Sequence, residues 1–347
     1  MTNDHPAFSL PLPGKYYLMV TFPDINNIFR ISDEDSFARM ALEVFAYQYE
    51  NNTVYCSFCD ALKRTPQSVK SLNHIPFLPV SFFQNNRVVA FDGREEKVFT
   101  SSGTTGTNLS KHFIYDLLIY ERSFSLGFEL FYGNPNQYAI LALLPGYLER
   151  SDSSLIYMTD ALIRKGANPA SGFYLHNLDK LATTLQHLKK AGQRIILIGV
   201  SFALLDLAEK FPVKIPGAII METGGMKGKR KELVREELHE ILKKAFGVET
   251  IHSEYGMTEL LSQAYSMGNG IFACPPWMKV LICDVNDPLS LAGFGKTGGI
   301  NIIDLANIHS CSFIATQDLG KAQPNGQFEV LGRFDHSAVR GCNLMVE

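Results

Sequence analysis

The run YAILALL, residues 138–144, is apolar at every position, which is typical of a β-strand buried on both faces. Two similar runs follow it, RIILI at 194–198 and GAIIM at 217–221. Helical patterns at 153–165 and 201–210 separate the three runs. Strands that alternate with helices in this way predict an α/β fold with a mainly parallel sheet and right-handed crossovers.

Outward from this core, the alternation continues with a charged amphipathic helix at 229–245 and a strand at 248–252. After about residue 268 the pattern changes to short strands separated by turns that contain Gly and Pro, with no long helix. This change predicts a smaller antiparallel β-subdomain packed on the α/β part. The strands predicted for it are 277–283, 298–304, 311–316 and 326–331.

On the N-terminal side, the spacing of apolar residues predicts a helix at 32–50, capped by Ser32. Residues 66–98 contain three prolines and are interpreted as connecting structure with short strands, while 114–128 shows a second helical pattern. These patterns divide the chain into a helical and connecting part (1–98), an α/β core (99–267), a β-rich subdomain (268–335) and a C-terminal tail (336–347).

Composition excludes several classes of protein. The 347 residues include 32 basic and 35 acidic side chains, a balance that excludes a broad binding surface for nucleic acid or anionic membrane. No apolar run reaches membrane-spanning length, and the N-terminus lacks the pattern of a signal peptide. The six cysteines are sparse, and the CxxC pair at 56–59 has no second close pair to complete a zinc site. We therefore expect a cytoplasmic protein with no integral membrane association.

The segment TSSGTTGTNLSK, residues 100–111, is the most informative for chemistry. Two glycines and six hydroxyl residues fall within positions 100–107, so backbone N–H groups and hydroxyl donors can reach an anion unobstructed. The spacing matches neither a Walker loop nor a dinucleotide-binding loop. The segment is interpreted as a phosphate-binding loop, with a flexible linker as the alternative.

This loop resembles the phosphate loop of the adenylate-forming superfamily, which includes acyl-CoA synthetases and luciferases. Three further motifs of that superfamily follow in the same order: YGMTE at 255–259, TQDLG at 316–320 and GRFD at 332–335. Gln317 stands where the superfamily's motif has glycine. Four motifs in order make a chance match improbable, and the resemblance implies the large domain of these enzymes.

Other segments narrow the resemblance to the acyl-protein synthetases, the LuxE-type fatty acid–protein ligases. They are YQYENN at 47–52, LPGYLER at 144–150, ETGGMKG at 222–228 and RGCNL at 340–344. The resemblance implies that the chain activates a fatty acid with ATP. It also implies that the acyl group passes through a cysteine thioester to a partner protein, such as a reductase.

The resemblance also implies roles for individual residues. Glu259 would hold Mg²⁺, because this hard cation prefers carboxylate and phosphate oxygens, and Thr258 would add a hydroxyl at the α-phosphate. Cys342 would carry the acyl group. The phosphate cradle would comprise Ser101, Ser102, Gly103, Thr104, Thr105 and Gly106. The adenosine site would comprise Thr223, Gly224, Gly225, Tyr255 and Gly256 around adenine, and Asp318 and Arg333 at the ribose hydroxyls.

Two departures from the superfamily leave alternatives open. Asn108-Leu109 replaces the usual Pro-Lys after the loop, and the chain ends twelve residues after Asp335. The superfamily's C-terminal lid domain, with its lysine, is therefore expected to be missing or vestigial. The alternatives are an acyl- or aryl-CoA ligase of the phenylacetate-CoA ligase type and a non-catalytic acyl-binding subunit. The sequence is equally compatible with a fatty or an aromatic acid as substrate.

Overall fold

The computed structural model describes residues 22–101, 109–145, 149–224 and 233–333. Within these ranges, twelve strands form one mixed sheet and two more form a separate hairpin. None of the helices in these ranges is long and apolar enough to cross a membrane. The helices are α1 (Ile25–Ile28), α2 (Glu34–Asn51), α3 (Thr53–Ala61), α4 (Phe82–Asn85), α5 (Leu117–Tyr132), α6 (Ser154–Gly166), α7 (Leu178–Lys190), α8 (Ser201–Lys210) and α9 (Arg235–Phe246).

The strands follow in chain order. They are β1 (Leu78–Pro79), β2 (Lys97–Thr100), β3 (Lys111–Ile114), β4 (Tyr138–Leu143), β5 (Gly172–Phe173), β6 (Arg194–Val200), β7 (Ile219–Thr223), β8 (His252–Tyr255), β9 (Ala264–Ser266), β10 (Ile271–Ala273), β11 (Met278–Cys283), β12 (Gly298–Asp304), β13 (Phe313–Ala322) and β14 (Phe328–Arg333).

The parallel part of the sheet has the order β8-β7-β6-β4-β5. Every residue of β4 is buried, as its uninterrupted apolar run predicts. The predicted strand at 248–252 is displaced toward the C-terminus, because the ladder with β7 begins only where His252 pairs with Met221. Ile251 is buried but lies before the first residue of β8. Its apolar side chain therefore reflects burial and not pairing with β7.

The antiparallel part begins where β9 pairs with β8, and continues through β10, β14, β13 and β12 to β11. It therefore extends the parallel sheet, and the two regions share one set of hydrogen-bonded strands. The predicted α/β class, with a parallel part and an antiparallel β-rich part, is confirmed. Strands β13 and β14 are antiparallel neighbours, and their pairing places Asp318 opposite Arg333.

Two helix starts differ from prediction because an aspartate caps each of them. The pattern at 114–128 predicts a helix, but Ile114 ends β3 and the helix α5 begins at Leu117. The Asp116 side chain accepts a hydrogen bond there from the N–H of Leu118 (2.9 Å). Similarly, Asp33 rather than Ser32 caps α2.

The turn between β12 and β13 is buried, and helix α2 satisfies much of its backbone. The Gln48 amide nitrogen donates to the carbonyl oxygen of Asn307 (3.0 Å), and the Gln48 amide oxygen accepts from the N–H of Ser312 (2.9 Å). The Asn52 amide donates to the carbonyl oxygen of Ser310 (3.0 Å). Gln48 and Asn52 of the YQYENN segment therefore hold this turn in place.

We predict that Gln48→Leu destabilises the chain, because it leaves buried carbonyl and N–H groups of the turn without partners. Each such group costs about 1–3 kcal/mol, so the free energy of unfolding should fall by at least about 2 kcal/mol. The urea midpoint followed by far-ultraviolet circular dichroism measures the change. Gln84→Leu, at an exposed helical position, is the control and should leave the midpoint unchanged. Equal midpoints for both variants would show that the turn does not depend on Gln48.

Candidate functional site

Four predicted site residues from three motifs meet beyond the carboxyl end of β8. The Tyr255 hydroxyl donates to the Asp318 carboxylate (2.7 Å), and Asp318 lies opposite Arg333 in the antiparallel ladder. The charges of Asp318 and Arg333 both act on the Glu259 carboxyl, in opposite directions. Motifs separated by up to about 75 residues in the chain therefore form one polar cluster at the end of β8.

Glu259 is the most deeply buried carboxylate of this cluster, with 5 % of its surface exposed. Burial raises its pKa, while a hydrogen bond from Ser110 and the charge of Arg333 oppose the rise. Burial raises the pKa of Asp318 as well, against the Tyr255 hydrogen bond and Arg333. Two carboxyl groups thus face one guanidinium group, and an added cation would favour the ionised form of both.

The segment predicted to bind phosphate connects β2 and β3, and the structure describes its two ends, Ser101 and Ser110, which form its neck. The N–H of Ser101 donates to the carbonyl oxygen of Ser110 (3.1 Å), and the N–H of Ser110 donates to the Ser101 hydroxyl (3.0 Å). Ser110 also hydrogen-bonds the Glu259 side chain, so the neck lies beside this carboxyl group. The predicted cradle residues Ser102, Gly103, Thr104, Thr105 and Gly106 lie outside the described residues.

Asp152 supports the same neck from the other side. Its carbonyl oxygen accepts from the N–H of Thr100 (2.8 Å), and its carboxylate accepts from the Thr100 hydroxyl and from Arg150 Nε (3.0 Å). Burial would raise the pKa of Asp152, but the hydrogen bonds from Thr100 and Arg150 together lower it. Sequence reasoning missed Asp152, although it lies two residues after the LPGYLER segment.

The backbone of Thr258 and Glu259 is fixed by two side chains that sequence reasoning also missed. The carbonyl oxygen of Thr258 lies 2.8 Å from Nδ1 of His112, and the Asn307 amide donates to the carbonyl oxygen of Glu259 (2.8 Å). Burial lowers the pKa of His112 to about 4, so its imidazole adds no charge near neutral pH. Thr258 and Glu259 are therefore held from β3 and from the buried turn.

Asp304 orders the segment that follows Glu259. Its fully buried carboxylate accepts hydrogen bonds from the N–H groups of Leu261 (2.7 Å) and Ser262 (2.9 Å). Burial raises the pKa of Asp304, and these hydrogen bonds oppose the rise. The sequence does contain a signal for this role, because Asp304 ends the apolar run GGINIID. A carboxylate next to buried apolar residues needs hydrogen-bond donors inside the protein.

Thr223 and Gly256 lie on either side of the buried Glu254. The Thr223 hydroxyl donates to the Glu254 carboxyl, so the Thr223 side chain points into the protein rather than out of the site. Burial raises the pKa of Glu254 to about 7, with the nearby charge of Glu222 adding to the rise. A Cβ atom on residue 256 would lie 2.6 Å from Glu254 Oε1, so any larger residue there would force the Glu254 side chain to shift.

The chain turns sharply after β7. Gly224 has a φ of +63°, which glycine adopts without strain, and its carbonyl oxygen accepts from the Ser201 hydroxyl (2.7 Å). Gly225, the next predicted adenine neighbour, and the predicted acyl carrier Cys342 lie outside the described residues. Within the described ranges, no group of three or more His, Cys, Asp or Glu side chains is arranged to hold a metal ion.

The sequence is similar to one curated protein, the long-chain-fatty-acid–luciferin-component ligase of Vibrio harveyi. The two are 25% identical over 330 residues, which cover 88% of this chain and 86% of the relative. No family model matches the chain. The similarity confirms the resemblance predicted from the motifs.

Solved structures of ligases share the fold. The ATP-bound structure of MatB from Rhodopseudomonas palustris superposes with a TM-score of 0.52 at 18% identity, over 70% of this chain. The chain covers about half (49%) of that protein's length. A 2-hydroxyisobutyryl-CoA ligase in complex with 2-HIB-AMP and CoA superposes with a TM-score of 0.64 at 14% identity, over 93% of this chain and 76% of that one. The chain thus has the fold of adenylate-forming ligases, and its sequence resembles the LuxE-type acyl-protein synthetases.

Proposed function

We propose that this chain uses ATP to activate a carboxylic acid, in the first place a fatty acid, as an acyl-adenylate. The observation that carries the proposal is the cluster of Tyr255, Glu259, Asp318 and Arg333 beside the neck of the phosphate loop. The similarity to a long-chain fatty acid ligase supports the choice of acid. These side chains have the chemistry that a nucleotide site needs: an aromatic ring, a carboxylate for a metal, and polar partners for ribose.

The residues fit a nucleotide with a divalent cation. Glu259 is buried, burial raises its pKa, and Ser110 at the loop neck donates a hydrogen bond to its side chain. A carboxylate in that setting gains from a cation that also contacts phosphate oxygens. Bound Mg²⁺ would neutralise phosphate charge, Glu259 would hold it, and Asp318 would accept hydrogen bonds from the ribose hydroxyls.

Activation replaces a poor leaving group with a good one. A carboxylate oxygen of the acid attacks the α-phosphorus of ATP, and the bond from that phosphorus to pyrophosphate breaks. The mixed anhydride that results has AMP as its leaving group. The loop and Thr258 would hold the triphosphate in line for this displacement, and such positioning is a large part of catalysis in phosphoryl chemistry.

The acyl group then moves to a thiol, and we assign this role to Cys342. The thiolate attacks the acyl carbon, AMP leaves, and the thioester can pass the acyl group to an acceptor protein. Four of the described cysteines are poor candidates because burial raises the pKa of their thiols, to about 12 for Cys59 and Cys274. Burial also raises the pKa of the thiols of Cys283 and Cys311, the other two cysteines of this group. The thiolate is the nucleophile, so these four thiols are largely unreactive near neutral pH.

Exchange of labelled pyrophosphate into ATP tests the proposal directly. The purified chain is incubated with ATP, Mg²⁺ and single acids from a panel of long-chain, medium-chain and aromatic carboxylic acids. We expect exchange that depends on one class of acid. A folded chain that supports no exchange with any of these acids would contradict the proposal and favour a non-catalytic acyl-binding subunit.

We predict that Glu259→Gln raises the Mg²⁺ concentration needed for half-maximal exchange by at least tenfold. The substitution keeps the volume of the side chain but removes the carboxylate charge that attracts the cation, so a higher Mg²⁺ concentration is needed to fill the site. Exchange rates measured across a Mg²⁺ titration at saturating ATP give the value.

Glu249→Gln is the matched control, because Glu249 is exposed and lies ten residues earlier in the chain. It should show the same Mg²⁺ dependence as the unmodified chain. A Glu259→Gln variant with unchanged melting temperature and unchanged Mg²⁺ dependence would show that Glu259 has a structural role only.

We predict that Cys342→Ser abolishes covalent acyl labelling and leaves pyrophosphate exchange intact, because the two steps use different atoms. The chain is incubated with labelled acid, ATP and Mg²⁺, then treated with neutral hydroxylamine, which releases thioesters. Labelling of the unmodified chain should be released by hydroxylamine.

Cys56→Ser is the control and should remain labelled. Normal labelling of Cys342→Ser would place the carrier elsewhere. If the unmodified chain transfers the acyl group to CoA in solution and forms no thioester of its own, the acceptor step is that of a CoA ligase.

A further inference from the structure

The buried Glu222 carboxylate takes no part in the proposed chemistry, although it lies beside two residues of the predicted adenosine site. Glu222 directly precedes Thr223 in β7. The Ser201 hydroxyl donates to the carbonyl oxygen of Gly224 (2.7 Å) and lies 3.2 Å from Glu222 Oε2. The Ser253 hydroxyl of β8 donates to Glu222 Oε1 (2.8 Å). A buried carboxylate that is ionised also needs a positive charge nearby.

Two basic side chains of helix α9 face this carboxylate. Nε of Arg235 lies 3.9 Å from Glu222 Oε1, and Nε2 of His239, one helical turn further along, lies 3.7 Å from the same oxygen. Both distances exceed that of a hydrogen bond, and the buried Nε2 of His239 has no hydrogen-bond partner within the described structure. Because an arginine side chain keeps its charge throughout the pH range of proteins, Arg235 supplies the countercharge for Glu222.

The same arginine side chain reaches the antiparallel part of the sheet. Nη1 of Arg235 donates to the carbonyl oxygen of Val330 on β14 (2.8 Å), three residues before Arg333. The carbon of the guanidinium group lies 5.4 Å from the centre of the Phe272 ring on β10. The Phe272 ring meets the Tyr255 ring edge-on, with 5.9 Å between their centres. One side chain therefore connects the elements that carry three parts of the predicted adenosine site.

We propose that Arg235 is a positioning residue for the nucleotide, which holds the turn after β7 and the strand β14 at the separation that an adenosine group spans. This inference rests on the proposed function. Two of its nitrogen atoms, Nε and Nη1, face protein groups, so Arg235 acts through its neighbours. Without the guanidinium group, the two elements would be ordered only when adenosine binds, and the free energy of ordering them would weaken binding.

Pyrophosphate exchange with the acid that supports it tests the inference, with adenosine and inorganic tripolyphosphate as competitors of ATP at fixed free Mg²⁺. Arg235→Gln should raise the KM for ATP at least fivefold and weaken inhibition by adenosine at least fivefold. Inhibition by tripolyphosphate and the KM for the acid should change less than twofold, because neither compound contains adenosine. A partial loss of folded protein would instead lower the maximal rate and leave these constants unchanged.

Two further variants support the measurement. Arg235→Lys keeps a positive charge near Glu222 but has fewer donor groups, so its KM for ATP should lie between those of Arg235→Gln and the unmodified chain. Lys244→Gln removes an exposed basic side chain near the other end of α9 and is the control, with unchanged constants.

An unchanged KM for ATP and unchanged inhibition by adenosine in folded Arg235→Gln would overturn the positioning role and leave the proposed function intact. Equal weakening of inhibition by adenosine and by tripolyphosphate would also overturn it, because the effect would then not be confined to the adenosine part of the site. Absence of exchange by the unmodified chain would overturn the proposed function itself, and this inference with it.

Discussion

The buried turn between β12 and β13 is the constraint on which the site depends. A turn inside a protein must find partners for its backbone N–H and carbonyl groups, because water cannot reach them. Gln48 of α2 and Asn52, the residue that follows this helix, supply those partners. This turn contains Asn307 and follows Asp304, the last residue of β12. Hydrogen bonds made by these two side chains hold the segment from Glu259 to Ser262. The position of Glu259 is therefore set by a helix more than two hundred residues away in sequence.

The balance of charge in the site follows from the same burial. Glu259 and Asp318 are carboxyl groups in a region where water is largely excluded, and Arg333 is the one basic side chain acting on both in the described structure. Among the described residues, this cluster therefore carries more negative than positive charge. In the proposed function, a divalent cation bound with the nucleotide would supply the missing positive charge.

Local signals in the sequence predicted the parts of the fold that depend on local physics. The apolar runs of β4, β6 and β7 identified strands because burial on both faces requires apolar side chains at every position. The start of β8 was misplaced because hydrogen-bond register with β7, rather than burial of Ile251, decides where that strand begins. The β2–β3 hairpin was missed for a related reason. Its strands have four residues each, and the hydrogen bonds between them, rather than a pattern within either strand, define the hairpin.

The motifs predicted which residues would meet, but not what holds them. Tyr255, Asp318 and Arg333 come together as the ordered motifs imply. Their supports, His112, Asp152, Asp304 and Asn307, are single polar residues whose partners lie far away in the chain. Nothing in the sequence around a single histidine, aspartate or asparagine identifies a distant partner, so only the assembled fold reveals these contacts.

The buried Glu254 carboxyl links folding of this chain to the proton concentration. Its pKa is about 7 in the folded chain, against an ordinary value of 4.5, so the folded state retains a proton that the unfolded state releases between these values. The contribution of this group to the free energy of unfolding is complete below about pH 4.5 and is lost as the pH rises through 7. In weakly alkaline solution the chain must therefore hold an unpaired negative charge beneath β7 and β8, or open locally to hydrate it.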